Sequence, residues 1–233
     1  IHRQMPRMIY LDYQATTPLA PEAREAMMRW LGGPGADDVG GVGFANPSST
    51  HKAGRAAAAA VEVARDQVAA LLPKGGRVFF TSGATEALNW ALFSGAKARP
   101  GGVAGLSIEH AASLQCLELL GAAILPVDRA GLALPPDDAL IPDNGIVAAM
   151  LVNNEVGTIQ PVADFAAAAH AKGSLLLCDA VQGFGRVAIP DGADLIALSA
   201  HKIHGPKGIG ALWARDGIAL DPLMFGGAQE QGM

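Results

Sequence analysis

A chain of 233 residues, 50% apolar and 17% charged, is long enough to bury a sizeable core and reads as one large domain or a domain with an appendage. With 17 basic and 22 acidic residues its net charge is -5, and no basic run stands out, which argues against nucleic acid and leaves a small molecule or a protein as ligand. No apolar run reaches the roughly 18 residues of a membrane span, and the two cysteines, Cys116 and Cys178, lie far apart with nothing resembling a signal peptide, so the expectations are no membrane, no disulfide framework, no metal site and a cytosolic setting.

Residues 1–7 read as a lead-in without function. Ile9 to Pro18 form a short extended arm, and Pro21 opens a helix whose Ala23, Met27, Trp30 and Leu31 share an apolar face for packing. Gly32 to Gly43 read as a mobile loop. Asn46 to His51 then supply turn and N-cap chemistry for a long helix with Val61, Ala64, Val68 and Leu71 on one side, and His51 is read as a capping or surface group.

Arg77 to Thr81 is a compact strand that Ser82-Gly83-Ala84-Thr85-Glu86 turns directly into a helix carrying Leu88, Ala91, Leu92 and Gly95. Such a start gathers unpaired N–H groups and the positive end of the helix dipole at one point, an anion site to which Thr85 adds a hydroxyl; an ordinary capped helix has the same pattern. The strand Val103 to Ile108 ends at Glu109-His110, which puts His110 at a strand-to-helix junction, where open α/β sheets meet their ligands. A helix through Leu114, Leu117 and Leu120 follows. Ala123 to Val127 and Ile146 to Val152 repeat the strand pattern, the latter ending in Asn153-Asn154, amides able either to satisfy a ligand oxygen or to cap the next turn.

The next helix turns Val162, Phe165, Ala166 and Ala169 inward and leaves His170 at the surface. Leu175 to Cys178 is a buried strand closed by Asp179, a carboxylate that at the end of such a run needs a cationic partner or several donors; a protonated ring nitrogen is one such partner. Cys116 and Cys178 read as small core hydrophobes. Asp194 to Leu198 is the last strand before Ser199-Ala200-His201-Lys202, and Ile209 to Trp213 pairs back as a hairpin arm. A lysine just past a buried strand can become a nucleophile when desolvation disfavours its ammonium form, so Lys202 is the candidate to form a Schiff base, although a solvated turn after a strand has the same local pattern. The strand-helix alternation, with polar residues gathered at strand ends, predicts a three-layer α/β/α sandwich around a mainly parallel sheet. Neither a G-x-G-x-x-G turn nor a P-loop follows any strand.

Tyr10 to Pro18, Asn46 to His51, Thr81 to Glu86, Glu109-His110, Val152 to Gly157, Asp179 to Gln182 and Ser199 to Gly208 together resemble, in order, the motifs of the cysteine desulfurases of the NifS/IscS type. These are pyridoxal 5'-phosphate enzymes of fold type I, class V aminotransferase-like, which take sulfur from L-cysteine and leave L-alanine. The resemblance implies that Lys202 carries the cofactor and later moves protons, that Asp179 pairs with the pyridine N–H, and that His110 stacks on the ring with a possible acid-base role. It further implies that Ala84 and Thr85, with Ser199 and His201, cup the phosphate, that Gln182 meets the phenolic oxygen, and that Asn154 meets the same region or the substrate carboxylate. It divides the chain into an N-terminal arm over 1–15 and a pyridoxal-phosphate-binding large domain over 16–233.

Family members continue further. A phosphate-binding threonine from the dimer partner, a small C-terminal domain, the arginine for the substrate carboxylate and the cysteine that accepts sulfur are not matched in these residues, and neither Cys116 nor Cys178 fits the last role. The implied partners are L-cysteine, a sulfur-acceptor or iron-sulfur scaffold protein, and a second copy of the chain in a homodimer. A selenocysteine lyase, a small-amino-acid aminotransferase or a non-catalytic binding module are the alternatives.

Overall fold

The computed structural model describes residues 9–32, 43–227 and 229–233. Its elements, in chain order, are helices α1 (Pro21–Met28) and α2 (Lys52–Ala69), strand β1 (Gly76–Thr81), helix α3 (Ala84–Ala98), strand β2 (Val103–Leu106), helix α4 (Ala111–Leu119), strands β3 (Ala123–Leu125) and β4 (Ile146–Met150), helix α5 (Val162–Ala171), and strands β5 (Leu175–Asp179), β6 (Leu195–Ser199) and β7 (Gly210–Arg215). Short 3-10 turns cover Ala200–Lys202 and Gln229–Gly232. All the strands form one sheet in the order β1-β7-β6-β5-β4-β2-β3, in which β7 alone runs against the others.

The strand sequences explain why both faces of this sheet are covered. Along β5, Leu175 and Leu177 point to one face while Leu176 and Cys178 point to the other; in β6 the same alternation sends Leu195 and Ala197 one way and Ile196 and Leu198 the other. Strands apolar at every position cannot leave either face in water, so helices must cover each. Helices α3 and α4 supply Leu88, Trp90, Leu92, Cys116 and Leu117 to one core, and α5 supplies Val162, Phe165, Ala166 and Ala169 to the other. This is the α/β sandwich expected from the alternation, with the hairpin from β6 into β7 also present. Cys116 and Cys178 are free thiols packed in those cores, Cys178 at 0% exposure. Among the described residues no helix is long and apolar enough to cross a membrane.

Two expectations from periodicity need correction. Helix α1 ends at Met28, buries none of its residues, and leaves Leu31 68% exposed, so its apolar face does not pack into either core. In α2 the buried line runs through Gly54, Ala57 and Arg65 to Leu72, while Leu71, beyond the helix end, is exposed. Arg65 can occupy an inward position because its guanidinium donates to the Val78 carbonyl at 2.8 Å and to both Glu230 oxygens, at 2.6 and 3.0 Å. A buried charge so paired is tolerated where an unpaired one is not. The lead-in over 1–7 and all but the two end residues of the Gly32–Gly43 loop lie outside the described residues.

Candidate functional site

Strands β1, β2, β4, β5 and β6 deliver polar residues at or just after their carboxyl ends, and those ends meet at a cleft of about 680 Å³. Its walls include Ala84, Thr85, His110, Asn154, Asp179, Gln182, Ser199, His201 and Lys202. The structure thus brings all the sequence-expected site residues to one cavity at the place where open parallel sheets bind ligands.

One wall is an anion cup. Gly83 is the N-cap of α3, so the N–H groups of Ala84 and Thr85 in the first turn have no intrahelical acceptor. Glu86 reaches back to accept from the Ser82 N–H at 2.7 Å and the Ser82 hydroxyl at 2.5 Å, which holds the loop without blocking that turn. Directly across, Gly210 opens β7 opposite both Thr81 and Ser199. A Cβ there would come within 2.7 Å of Gly83 Cα and 2.5 Å of the Leu198 carbonyl oxygen. Only glycine lets the start of α3 approach the end of β6 this closely. Ser199 is buried, and among the described residues its hydroxyl makes no hydrogen bond, while His201 Nδ1 lies 3.1 Å from Thr16 Oγ1 and leaves the ring's other nitrogen free for the cup. Burial first, then Lys202 and Lys207, lower the His201 pKa.

The opposite wall is anionic. Asp179 closes β5, is buried, and accepts from the Val181 N–H at 3.0 Å. Burial raises its pKa more than the Val181 N–H and the nearby His110 and Lys202 lower it, so the carboxylate lacks a matching cation. His110 is the N-cap of α4 and its Nδ1 accepts the Ala112 N–H at 3.1 Å. That bond fixes the proton of the neutral ring on Nε2 and holds the ring on the cavity wall.

Lys202 ends the 3-10 turn that follows β6. Burial pushes its pKa down, helped by Arg186 and opposed by Asp12 and Asp179. Its Nζ donates to the Gln14 carbonyl, which also accepts from Gln182 Nε2 at 2.9 Å. The lysine turn is fixed from outside: Arg186 donates to the Lys202 carbonyl at 2.7 Å and the Gln182 carbonyl at 3.1 Å. Beyond it His204 sits at φ 63°, a left-handed conformation that costs a non-glycine residue about 1 kcal/mol or more. Thr17 holds it there by accepting the His204 N–H at 2.7 Å, and Thr17 N–H in turn donates to the His201 carbonyl at 2.8 Å.

The two asparagines after β4 divide their work. Asn153 is buried, accepts the Glu155 and Val156 N–H groups and donates to the Ile108 carbonyl, all at 2.9 Å, so it is a turn-former. Asn154 lines the cavity. His51 is the N-cap of α2, its Nδ1 accepting the Gly54 N–H at 3.1 Å, and it does not line the cleft. His170 is exposed in the last turn of α5, as expected, and from there bonds the buried Asp194 at 2.8 Å. Residue-by-residue reading missed Gln14, Thr16 and Arg186; the first two lay in a quoted motif without a role, and Arg186 carried no signal beyond its closeness to Gln182.

These donors and acceptors can receive a ligand with an anionic group at the start of α3, a cationic group at Asp179 and an electrophilic carbon within reach of the Lys202 amine. Comparisons with known proteins agree. The aminotransferase class-V family model matches residues 9–232. Over 240 residues the chain is 41% identical to cysteine desulfurase IscS of Dictyoglomus turgidum, covering 97% of this chain and 59% of that protein. It is also 41% identical over 240 residues to a cysteine desulfurase of Cereibacter sphaeroides, covering 96% and 59% respectively. Among solved structures, a NifS-like protein superposes with a TM-score of 0.85 at 33% identity, covering 96% of this chain and 63% of that one. SspA in complex with cysteine does so with a TM-score of 0.81 at 33% identity, covering 96% and 66%. The chain therefore spans about 59% of the length of the curated relatives it matches.

Proposed function

Because the chain belongs to the aminotransferase class-V family, we propose that its cleft holds pyridoxal 5'-phosphate and that the whole protein is a cysteine desulfurase, releasing L-alanine from L-cysteine and passing the sulfur on. The observation that carries this reading is the buried Asp179 without a matching cation, set in the same cavity as the half-buried amine of Lys202 and the open first turn of α3. A carboxylate in that position is costly unless the ligand brings a positive charge.

The residues fit the group. Lys202 would hold its carbonyl carbon, Asp179 its ring nitrogen, and Gln182 its phenolic oxygen with the one of its two Nε2 hydrogens that does not go to Gln14. Ala84 and Thr85 N–H, Ser199 and His201 would take the phosphate, the helix start adding about 0.3–2 kcal/mol per anionic group. When bound, pyridoxal phosphate supplies an electron sink, and a ring kept cationic by Asp179 strengthens it. The chain's own part is to hold and move protons. Lys202, its pKa lowered by burial, is the base placed to take the proton from the substrate's Cα. His110, with its neutral-ring proton on Nε2 and facing the cleft, covers the ring and is a second proton carrier. Asn154 would meet the substrate carboxylate.

Neither cysteine fits the sulfur-accepting role. Cys116 and Cys178 are buried away from the cleft, and burial pushes the Cys178 thiol well above its ordinary range, which removes the thiolate such a nucleophile needs. In the whole protein we assign the further partners as a sulfur acceptor or iron-sulfur scaffold protein and a second copy of the chain. Full-length protein given L-cysteine and an acceptor thiol should release alanine and sulfide in equal amounts, and sulfide without alanine would end the proposal. Equal or faster turnover of selenocysteine, or transamination of small amino acids, would move the substrate to the neighbouring activity.

A further inference from the structure

Strand β2 stops at Leu106 while β4 runs on to Met150, so the carboxyl end of β4 has no strand neighbour on that side. A side chain takes the vacant place: Glu109 Oε1 accepts the Met150 N–H at 2.5 Å, and Glu109 is only 4% exposed. On its other side Met150 is the cross-strand partner of Asp179. Glu109 also immediately precedes His110, the N-cap of α4. One carboxyl thus joins the ends of β2, β4 and α4 directly behind the residues assigned to the cofactor's ring.

We propose that Glu109 is a positioning residue of the cofactor site, splicing Met150 to the β2–α4 turn so that Asp179 and His110 are held in register with each other. The inference rests on the pyridoxal phosphate reading above. It requires that the splice not add a second anion to the site. Glu109 Oε2 and Ser113 Oγ are both buried without a hydrogen-bond partner among the described residues. The charged groups that act on Glu109 come from β5, where Asp179 faces it and Cys178 is influenced by both carboxyls; no cation acts on it. Burial and then the Asp179 charge push its pKa up to about 8, against the pull of the Met150 N–H. The shift favours the protonated form of Glu109 at neutral pH, in which it accepts one hydrogen bond and leaves Asp179 as the counter-charge for a ring nitrogen.

The test uses full-length protein with pyridoxal phosphate removed and added back, and three variants. Glu109→Gln keeps the acceptor without a charge, Glu109→Ala removes it, and Ser174→Ala removes a comparable buried acceptor at the opposite end of β4, where Ser174 Oγ accepts the Gly145 N–H at 2.7 Å. Infrared spectra at pH 7 should contain the C=O stretch of a protonated carboxyl that E109Q lacks, with or without cofactor. E109Q should bind pyridoxal phosphate within about threefold of wild type, whereas E109A should bind about tenfold or more weakly, the scale of one buried N–H left unsatisfied. S174A should lose stability and keep its cofactor affinity. An ionised Glu109 at pH 7, equal weakening by E109Q and E109A, or weakening by S174A to the level of E109A overturns the proposal. If the infrared band is present and no protein binds pyridoxal phosphate, the cofactor reading falls and takes the positioning role with it, leaving only a neutral buried acid.

Discussion

The two ends of the sheet are built from the same kinds of residue and finished in opposite ways. At the amino end most of the polar groups are bonded to one another, although Arg215 Nε is buried there without a hydrogen-bond partner among the described residues. Asp194 receives His170 at 2.8 Å and the Leu176 N–H at 2.8 Å, with Arg215 Nε 3.1 Å away, and Ser174 accepts the Gly145 N–H while donating to the Pro142 carbonyl at 2.5 Å. Arg99 adds bonds to the Gly173 carbonyl and Asn144 side chain, at 2.7 and 3.1 Å. At the carboxyl end Asp179 has one backbone donor, Glu109 leaves one oxygen without a partner, and Lys202 keeps a lowered pKa. Satisfied polar groups specify and stabilise a fold, whereas groups left in want of partners are stabilised by what binds. The difference separates the half of the molecule that holds shape from the half that does chemistry.

The comparison can be broken by variants at either end. The largest effect is expected at Lys202: Lys202→Ala should abolish the visible absorption band of bound pyridoxal phosphate together with turnover, while circular dichroism stays that of the wild type. Asp179→Asn should keep the fold and weaken cofactor binding about a hundredfold, the scale of removing one partner from a buried charge pair, as read by titrating apo-protein. Asp194→Ala, at the quiet end, should cost about 3 kcal/mol of unfolding free energy in urea and leave the affinity of the folded fraction for cofactor unchanged.

The pH dependence of stability sharpens the same contrast. Glu109 has its folded pKa raised from 4.5 to about 8. Below pH 4.5 the folded and unfolded chains both hold its proton; between there and pH 8 only the folded chain does, so the group costs stability progressively as pH rises, and the cost levels off above pH 8. Urea unfolding of apo-protein should therefore show E109Q gaining on wild type from pH 5 to pH 8, by about 3.5 kcal/mol. The smallest effect belongs to S174A, about 1 kcal/mol and constant over that range.

Much of this organisation was legible in the sequence, and what was not has a common cause. Apolar runs closed by Asp179, by Ser199 or by Glu109-His110 mark strand ends without any knowledge of neighbours, because continuous hydrophobicity requires a doubly covered strand. The order of motifs then brought nine residues to one cleft. Periodicity failed where a distant partner changes the cost of burial. Arg65 is inward because of Glu230, 165 positions later, and nothing in the amphipathic pattern of α2 carries that information. Helix α1 has an apolar stripe without a core to receive it. Gln14 was overlooked because its backbone carbonyl, not its side chain, is what Lys202 and Gln182 use. The raised pKa of Glu109 comes from its burial and then from Asp179, 70 residues away in sequence, and only the folded chain supplies either.

The reversed strand β7 bears on how such a molecule is made. Among the described residues β1 acquires its only strand neighbour through the pairs from Thr81↔Gly210 to Gly76↔Arg215, so during synthesis it must wait for β7 to emerge. Pairing at that sequence separation is slow, and until it happens an apolar strand edge is open to wrong partners. The helix start at Ala84 and Thr85 belongs to the waiting side, and Lys202 lies between the strands of the β6–β7 hairpin. Among the described elements the cleft is complete only once β7 has paired, and a nascent chain stalled before Gly210 should be unable to take up pyridoxal phosphate.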